Sequence, residues 1–284
     1  MKRIVMFAMA VVMLLPQTSQ AKKKSGVRNE LKVMSYNIRV DDMKKMKDGT
    51  NSWIYRHPAT ALMLEDQKPD VFGVQEALEH QIKFIEENCR DYKSVGVGRE
   101  DGKKHGEFMS IFWNKNTVKL LKWGTFWLSE TPEKPSKGWD ASCKRSATWA
   151  LLKDKKTGRK FYFVNTHLDH RGAQAQKNGL KLIVDRIDSI NPEGYPMLLT
   201  GDFNITPDNP ALIDLDKRMQ SARKIAPTTD NHDTFNGWGK GKGVIDFIYV
   251  SGFSHCLEYQ TVTKKYADRT YVSDHYPIFA RLIF

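Results

Sequence analysis

The sequence predicts an α/β protein in which two packed β-sheets carry helices on their outer faces. Strand-like and helix-like segments alternate along the chain, and several strands occur in hairpin-like pairs between single helices. This order argues against a purely parallel βαβ array. The hydrophobic content of 40% is sufficient for a large core, and no stretch rich in Pro, Gly or Ser divides the chain. We therefore expect one domain over residues 25–284.

The first third of this domain predicts two strands, each followed by a helix. Residues 31–40 alternate apolar and polar side chains and are rich in strand formers. A helical pattern follows at about 53–67, and a second one covers 79–88. Between them, residues 70–77 have the continuous apolar character of a buried strand that ends in an acid.

The middle of the chain predicts paired strands. We expect strands at 108–114, 118–128, 145–153 and 159–166, where apolar and β-branched residues cluster between turn-forming residues. A long polar loop, 129–145, separates the second strand of this group from the third. Loops of this length without internal structure are often functional.

The last third predicts one long helix and four strands. The helical pattern covers roughly 174–189, and the apolar run that follows it predicts a strand at 195–202. The remaining strands are expected at 244–251, about 256–263 and 276–284. No internal repeat or low-complexity segment interrupts this series.

The N-terminus has the pattern of a signal peptide over residues 1–21. Lys2 and Arg3 precede an apolar run at 4–15, and the small residues of SQA at 19–21 suit a cleavage site. The run is shorter than the ~20 residues needed to span a bilayer, and no later stretch is long enough. A short membrane anchor is the alternative. We expect an exported protein, periplasmic or extracellular, with no transmembrane segment in its mature form.

The charge balance favours anionic partners. The formal net charge is +12, and removal of residues 1–21 takes away Lys2 and Arg3 but no acid, which leaves +10. Nucleic acid, phosphorylated metabolites and anionic lipid surfaces all fit this balance, and no feature predicts a protein partner. The three cysteines are widely spaced without a CxxC pattern, which excludes a cysteine-rich zinc site and leaves open one disulfide or three buried thiols.

Polar and ionisable side chains recur directly beside the apolar runs. These side chains are Asn37 in SYNIR, Glu76 in GVQEA, His167, Asp169 and His170 in NTHLDHRG, Asp202 and Asn204 in GDFN, Asp246 in IDFIYVS, and Asp274 and His275 in SDHYPI. Taken alone, a motif such as GDFN has the composition of an ordinary turn. Burying so many charges without partners is costly, so convergence on one shared site explains them better than six separate turns.

The side-chain types of these clusters suit hydrolysis of a phosphate ester. Carboxylates and amides without a thiolate are the ligands of hard divalent cations, which predicts Mg²⁺ or Mn²⁺ as the cofactor. Histidines and an amide can donate hydrogen bonds to a developing oxyanion, and a carboxylate outside the metal shell can activate water. Metal-assisted attack of water on phosphorus uses this combination.

With these motifs in this order, the chain resembles the endonuclease/exonuclease/phosphatase family with the deoxyribonuclease-I-like fold. The motifs YNIR, QE, NTHLDHRG, GDFN, IDFIYV and SDHYP span nearly the whole chain after residue 25. A lone GDFN is a weak signal, whereas the ordered set is specific. The resemblance implies a four-layer α/β sandwich: two packed, mostly antiparallel sheets flanked by helices.

The resemblance also implies a metal centre. Glu76 corresponds to the principal metal ligand, with Asn37 beside it to orient metal or phosphate. Asp274 corresponds to a position where the family often places another metal contact.

The catalytic roles follow from the same resemblance. Asp202 corresponds to the group that binds or deprotonates the attacking water, and Asn204 to a donor to phosphate. His275, oriented by Asp246, corresponds to the histidine that stabilises pentacoordinate phosphorus. His167 corresponds to a position that supports the leaving group or phosphate.

Four further residues are candidates for substrate binding, each with a structural alternative. His170 either contacts phosphate or is a hydrogen-bonded loop histidine, and Arg145 either clamps phosphate or forms a surface salt bridge. Glu107 either reaches the substrate groove or is a solvated turn acid, and Trp139 either lines the pocket or packs on its own loop. Asp169 is left outside the catalytic set, because strand alternation directs it elsewhere.

The sequence thus predicts a secreted, Mg²⁺- or Mn²⁺-dependent phosphoesterase, with its substrate class open. A nuclease or other phosphodiesterase comes first, since the basic balance suits a polyanion. The alternative is a phosphatase or phospholipase-type diesterase that acts on phosphorylated sugars, inositols or lipid headgroups. An inactive binding protein on the same fold is a distant alternative that would have lost motif residues. All of them are present: Glu76, Asp202, Asn204, Asp246 and His275.

Overall fold

The first strand shows how the sequence builds the layers. A computed structural model describes residues 29–42 and 47–284, and its first strand is Glu30–Asn37. Leu31 and Val33 project into the core between the two sheets, whereas Met34 and Tyr36 pack into a second core on the outer face. Because successive strand residues point to opposite faces, burial on both faces requires apolar residues at odd and even positions alike.

The described residues form twelve strands, which make two mixed sheets. Numbered along the chain, they are β1 (Glu30–Asn37), β2 (Val71–Gln75), β3 (Tyr92–Val95), β4 (Ile111–Asn114), β5 (Val118–Trp127), β6 (Ser146–Asp154), β7 (Lys160–His167), β8 (Met197–Asp202), β9 (Gln220–Ser221), β10 (Asp246–Ser251), β11 (His255–Thr261) and β12 (Ile278–Ile283). The first sheet has the order β11-β12-β1-β2-β4-β3 and the second the order β5-β6-β7-β8-β10-β9.

Helices cover the outer faces of the sheets. They are α1 (Trp53–Gln67), α2 (Glu79–Asn88), α3 (Ala173–Ile190), α4 (Ile213–Arg218) and α5 (Ala222–Ile225). Met63 of α1 and Ile82 of α2 belong to the outer core of the first sheet. Leu180 and Ile183 of α3 belong to the outer core of the second sheet. The predicted four-layer arrangement of helices, two packed sheets and helices is therefore confirmed.

Strand direction brings the polar strand ends to a common edge. Among the pairings of the twelve described strands, only β1 with β2 and β7 with β8 are parallel, so their carboxyl ends meet in register, with His167 beside Asp202. Strand β10 runs antiparallel to β8 and begins at the same edge, with Asp246 opposite Asp202. Strand β12 runs antiparallel to β1, so the loop that carries His275 also ends there.

A polar layer between the sheets lies just inside this edge, within the strands that carry the polar ends. Gln75 Nε2 donates to Ser35 Oγ (3.1 Å) and to Asn165 Oδ1 (2.7 Å), and Thr200 Oγ1 donates to the same Asn165 oxygen (3.0 Å). Gly73 makes room for this contact, because a Cβ atom there would lie 2.3 Å from Asn165 Oδ1. The network joins both sheets and fixes their register beneath the strand ends.

The structure differs from the sequence expectation mainly in short elements. The edge strand β3, the two-residue strand β9 and the short helices α4 and α5 are too short to give a periodic signal. The strand expected from residue 108 begins at Ile111. The predicted signal peptide, 1–21, lies outside the described residues. Across the residues that the structure describes, no helix combines the length and apolar character needed to cross a membrane. The three cysteines are free thiols, so the disulfide alternative is wrong.

Candidate active site

The strand ends of both sheets enclose a cavity of about 430 Å³. Side chains from β7, β8, the turn directly after β2 and the loop before β12 meet there, and other loop residues complete the lining. The lining residues are Arg39, Val40, Glu76, Arg99, Glu107, Cys143, Arg145, His167, His170, Asp202, Asn204, Phe235, Ile245, Asp274 and His275. Asn37 and Asp246 lie directly behind this surface. Asn37 contacts the Glu76 and Asp202 carboxylates, and Asp246 contacts His275.

Asn37 joins the carboxylates of the two sheets. Its Nδ2 donates to Glu76 Oε1 (3.0 Å) and to Asp202 Oδ2 (2.9 Å), and its Oδ1 accepts from the backbone N–H of Arg39 (3.0 Å). The expected place beside the metal ligand is therefore occupied by the amide nitrogen, while the oxygen faces the backbone. In this geometry Asn37 fixes the spacing of the two carboxylates, and its oxygen is not available beside them as a third ligand for a metal ion.

Glu76 is held as an ionised carboxylate by its surroundings. Its Oε2 accepts from the Val40 backbone N–H at 2.9 Å. Burial acts to raise the pKa of Glu76, but the Val40 hydrogen bond and the charges of His275 and Arg39 outweigh it and lower the pKa. Glu76 is therefore ionised at neutral pH and can act as an anionic ligand for a metal ion.

Left-handed backbone conformations direct the lining residues. Arg39, Glu76 and Asn204 have φ values of 62°, 64° and 53°. A side chain that follows Gln75 in an extended strand would point away from the space between the sheets. The left-handed turn at Glu76 instead ends β2 and brings the carboxylate to the edge. Non-glycine residues adopt this conformation at a cost of roughly 1–2 kcal/mol, and such strain is concentrated at functional sites.

Asp246 and His275 form a buried pair. His275 Nδ1 lies 2.9 Å from Asp246 Oδ2, and His275 Nε2 lies 3.7 Å from Asp202 Oδ2. Burial acts to lower the pKa of His275, but the Asp246 and Asp202 carboxylates outweigh it and raise the pKa to about 10. The ring is therefore an imidazolium at neutral pH, which suits donation to an anionic phosphate.

Among the carboxylates of the site, Asp202 has the properties best suited to a general base. Burial raises the pKa of Asp202 to about 7; the charge of His275 opposes this shift, and those of Asp246 and Glu76 add to it. Its Oδ1 accepts from the Asn204 backbone N–H at 2.9 Å, which leaves Oδ2 directed at the histidines. A base whose pKa lies near the working pH transfers protons efficiently.

His167 and Asn204 hold each other. Asn204 Nδ2 lies 2.9 Å from His167 Nε2 and 3.1 Å from the Leu168 carbonyl oxygen, so both amide hydrogens are engaged. The expected donation from Asn204 to phosphate therefore requires release of one of these bonds. Burial, reinforced by the charges of Arg145 and Arg99, lowers the pKa of His167 far below its usual value. His167 is neutral, and its buried Nδ1 has no hydrogen-bond partner among the described residues.

Asp274 lies on the Arg39 side of the cavity. Its Oδ2 is 3.6 Å from Arg39 Nη1, which also approaches Glu76 Oε2 at 4.0 Å. Burial raises the pKa of Asp274, with His275 and Arg39 opposing. Asp274 therefore shares a guanidinium with Glu76, and the expected metal contact would have to replace that interaction.

The donor atoms at the strand ends suit a hard divalent cation. One group of ligand atoms within 4.8 Å of one another comes from Glu76, His167 and Asp202, and a second comes from Asp202, Asp246 and His275. The second group already forms a charged hydrogen-bonded pair. In the first group, the amide of Asn37 donates hydrogen bonds to the carboxylates of Glu76 and Asp202. The partial positive charge of its N–H groups thus lies between the two carboxylates. Oxygen-rich sites of this kind favour hard divalent cations over softer metals.

Arg145 and His170 lie together in the cavity wall. Arg145 Nε contacts Asp169 Oδ2 at 3.3 Å, and Arg145 Nη2 lies 2.9 Å from His170 Nδ1. Asp169 also accepts backbone N–H groups of Ser142, Arg171 and Gly172, so it is a structural anchor, in agreement with its exclusion from the catalytic set.

Cys143, Asp169 and His170 also bring possible metal-ligand atoms within 4.8 Å of one another. The guanidinium of Arg145 already donates to both Asp169 and His170. A cation in that position opposes a second one, so we do not assign a metal to this cluster.

Sequence reasoning missed Arg99. Its Nη2 donates to Glu107 Oε1 at 2.8 Å, and both residues line the cavity. Only the fold shows that Arg99 lines the cavity, because Arg99 and Glu107 face each other across the hairpin loop that joins β3 and β4. The alternative of a solvated turn acid for Glu107 does not fit its paired, partly buried position. Trp139 does not line the cavity; its backbone N–H lies 3.3 Å from the Glu130 carboxylate oxygens within its own loop.

A comparison with known families decides the relationship. The family model described as "Endonuclease/Exonuclease/phosphatase family" matches residues 34–275. This chain belongs to the endonuclease/exonuclease/phosphatase family. The matched range contains each of the predicted motif residues from Asn37 to His275. Membership supports a hydrolase that acts on phosphate ester bonds.

Solved structures of other proteins share this fold. A Bacteroides thetaiotaomicron family protein is 32% identical, with a TM-score of 0.85 over 90% of this chain and 98% of that one. A mannosyl-6-phosphatase of the same species is 33% identical, with a TM-score of 0.85 over 89% and 100%. TDP2 from D. rerio, complexed with a single-strand DNA product, is 16% identical, with a TM-score of 0.71 over 90% and 99%, and this likeness concerns the fold alone.

Proposed function

We propose that this protein is a Mg²⁺- or Mn²⁺-dependent phosphatase that hydrolyses phosphate monoesters of small molecules, sugar phosphates first among them. The observation that carries the proposal is the cavity of about 430 Å³, in which the Glu76 and Asp202 carboxylates share one space with the polar side chains of Arg99, Glu107, Arg145 and His170. Its volume lies within the roughly 300–1,000 Å³ of small-molecule sites. The similarity to a mannosyl-6-phosphatase over 89% of this chain supports the same substrate class.

The metal would be held at the edge where the two sheets meet. Glu76 offers an ionised carboxylate there, and the Asn37 amide holds the Asp202 carboxylate close beside it. When bound, such an ion neutralises charge on the phosphoryl oxygens and orients the ester for attack.

The residues around this point have distinct tasks. Asp202 accepts a proton from the attacking water, for which its pKa of about 7 is suited. His275, kept protonated by Asp246, donates from Nε2 to the phosphoryl oxygens as negative charge accumulates on them. His167 and Asn204 orient the loop after β7 beside the same carboxylate.

A phosphodiesterase is the second candidate, and the charge of the chain favours it. A net charge of +10 for residues 22–284 follows from +12 for the whole sequence without Lys2 and Arg3. A nucleic-acid backbone or a lipid headgroup diester would benefit from this charge, which is why a nuclease ranks first on sequence alone. Charge of this kind acts on all polyanions, whereas the cavity selects by its shape and by the polar side chains that line it.

A substrate panel tests the proposal. With Mg²⁺ or Mn²⁺ present, we expect faster hydrolysis of mannose 6-phosphate and glucose 6-phosphate than of bis-p-nitrophenyl phosphate, sphingomyelin, RNA or plasmid DNA. The measure is kcat/KM, from phosphate release for monoesters and from product formation for diesters. Faster cleavage of any diester than of every monoester would contradict it.

Export belongs to the proposal as well. Residues 1–21 carry the basic, apolar and small-residue pattern of a signal peptide. We expect the protein outside the cytoplasm, with its mature N-terminus at about residue 22. Cell fractionation followed by N-terminal sequencing measures this, and recovery of the uncleaved chain from the cytoplasm would contradict it.

A further inference from the structure

Part of the cavity wall is not used in the proposed phosphoryl transfer. Arg99, Glu107, Arg145 and His170 line the same space as the reactive carboxylates but come from other segments of the chain. Arg99 and Glu107 lie in the hairpin loop between β3 and β4, Arg145 directly precedes β6, and His170 follows β7. We call these four residues the polar wall.

The first half of the polar wall is an ion pair with unused hydrogen-bonding capacity. Arg99 is only 7% exposed, and within the described residues its Nε and Nη1 have no hydrogen-bond partner. Its one side-chain hydrogen bond goes to Glu107 Oε1. The second oxygen of Glu107 accepts no hydrogen bond in that same part of the chain. Buried donors are normally paired, so the two unpaired Arg99 donors call for a partner, and a ligand in the adjoining cavity would supply one.

The second half is a histidine with a fixed tautomer. Arg145 is only 4% exposed and is anchored by Asp169. A guanidinium can only donate, so His170 Nδ1, 2.9 Å from Arg145 Nη2, must accept. The ring is then neutral, with its hydrogen on Nε2. His170 therefore presents an uncharged N–H donor at the exposed rim of the cavity.

The charge of this wall decides which ligand it suits. Arg99 pairs with Glu107 and, at a longer distance, with Glu100, and Arg145 pairs with Asp169, so both guanidinium charges are compensated. A second phosphate, as in a nucleic-acid backbone, would need uncompensated cations and would be repelled by Glu107. A neutral polyol is better suited, because each hydroxyl both donates and accepts, and an adjacent carboxylate and guanidinium satisfy both functions.

We infer that Arg99, Glu107 and His170 form a hydroxyl-recognition subsite that holds the sugar of a phosphorylated monosaccharide while its phosphate lies at Glu76 and Asp202. The inference rests on the proposed phosphatase function and adds the residues that select the alcohol part of the ester. Glu107 accepts from one hydroxyl, Arg99 donates to its neighbour, and His170 Nε2–H donates to a third oxygen. Arg145 acts through His170 as a positioning residue.

The test compares two monoesters with the same reacting bond. Mannose 6-phosphate and n-hexyl phosphate are both esters of primary alcohols, but only the first has ring hydroxyls. We expect the wild type to prefer mannose 6-phosphate at least tenfold in kcat/KM. Glu107→Gln should lower kcat/KM for mannose 6-phosphate by about 10- to 100-fold, since charge-assisted hydrogen bonds contribute about 1.5–3 kcal/mol. Hydrolysis of n-hexyl phosphate should change less than about threefold, because that alcohol makes no such bond.

Two further variants keep the result interpretable. Arg99→Lys retains the ion pair but loses the planar fork, so it should show the same sugar-specific loss even if Glu107→Gln folds poorly. Glu100→Gln is the matched control: Glu100 contacts Arg99 Nε at 3.9 Å but does not line the cavity, and both substrates should retain wild-type rates.

Each outcome separates this inference from the function it rests on. Equal loss on both monoesters, or loss on neither, overturns the hydroxyl subsite while phosphatase activity stands. If the wild type hydrolyses neither monoester yet cleaves diesters, the proposed function fails and the subsite fails with it. A sugar-specific loss in Glu107→Gln and Arg99→Lys, absent in Glu100→Gln, supports the subsite.

Discussion

At the residue scale, the site depends on how each side chain is held as much as on which residue is present. The Asn37 amide joins Glu76 to Asp202, and the Asp246 carboxylate sets the charge of His275. The sequence indicates these residue types, because each stands beside an apolar run. It does not indicate that both donors of Asn204 are engaged within the protein, since that depends on the position of the His167 ring.

The charge state of His275 can be measured directly. Its pKa is raised to about 10, above the ordinary value of 6.5, so it should remain protonated through pH 8 in metal-free protein. Its contribution to stability is then fully present below about pH 6.5 and is lost as pH rises through about 10. Asp246→Asn removes the nearest carboxylate and should lower the pKa of His275.

An NMR titration in the presence of EDTA measures this pKa, with the His275 ring resonance assigned through its loss in His275→Gln. A wild-type His275 that titrates near pH 6.5, unaffected by Asp246→Asn, would contradict the paired arrangement. Loss of kcat in Asp246→Asn at neutral pH should accompany the lowered pKa, because a neutral ring donates more weakly to phosphate.

At the element scale, periodic segments are predictable and paired loops are not. Helices α1 and α2 have the bounds expected from the sequence, 53–67 and 79–88, because each has a long amphipathic pattern. Strand β3 and the loop that follows it give no such signal. The contact of Arg99 with Glu107 forms only after that loop closes across β3 and β4, and no local pattern encodes this closure.

The polar layer between the sheets predicts the effect of a single methyl group. Gly73→Ala would place a Cβ atom 2.3 Å from Asn165 Oδ1 and 2.6 Å from Thr200 Oγ1. We expect this overpacking to destabilise the protein by about 1–3 kcal/mol. Chemical denaturation followed by circular dichroism measures the change in the free energy of unfolding.

Gly179→Ala is the matched control for this substitution. Gly179 lies inside α3, and an added Cβ there would lie 3.3 Å from the flexible end of Leu128. The gain in helix propensity, about 1 kcal/mol, should offset the small displacement of Leu128. Equal destabilisation by both substitutions would contradict the special role of Gly73.

At the scale of the whole molecule, the site exists only because the two sheets pack face to face with their polar strand ends at the same edge. Asn37 ends β1 and Glu76 directly follows β2 of the first sheet, whereas the second sheet contains His167, Asp202 and Asp246. The hydrogen bond from Asn37 to Asp202 crosses between the sheets at 2.9 Å. The order of motifs along the sequence predicts that these residues share a site, but their distances follow from long-range packing that no segment encodes alone.

The central claim is that this joint between the sheets holds a divalent metal that phosphate-ester hydrolysis requires. Glu76→Gln keeps the shape of the side chain and removes the ionised ligand, so it tests the claim most directly. Manganese binding by titration calorimetry and hydrolysis of mannose 6-phosphate should be measured on the same wild-type and variant preparations, with thermal melts as the control for folding. We predict that EDTA abolishes wild-type hydrolysis and that Mn²⁺ or Mg²⁺ restores it. Folded Glu76→Gln should bind Mn²⁺ weakly and lose activity by about 100-fold or more, as for other groups that stabilise transition-state charge. Full turnover of the wild type in EDTA, or full metal binding and activity in Glu76→Gln, would contradict the claim.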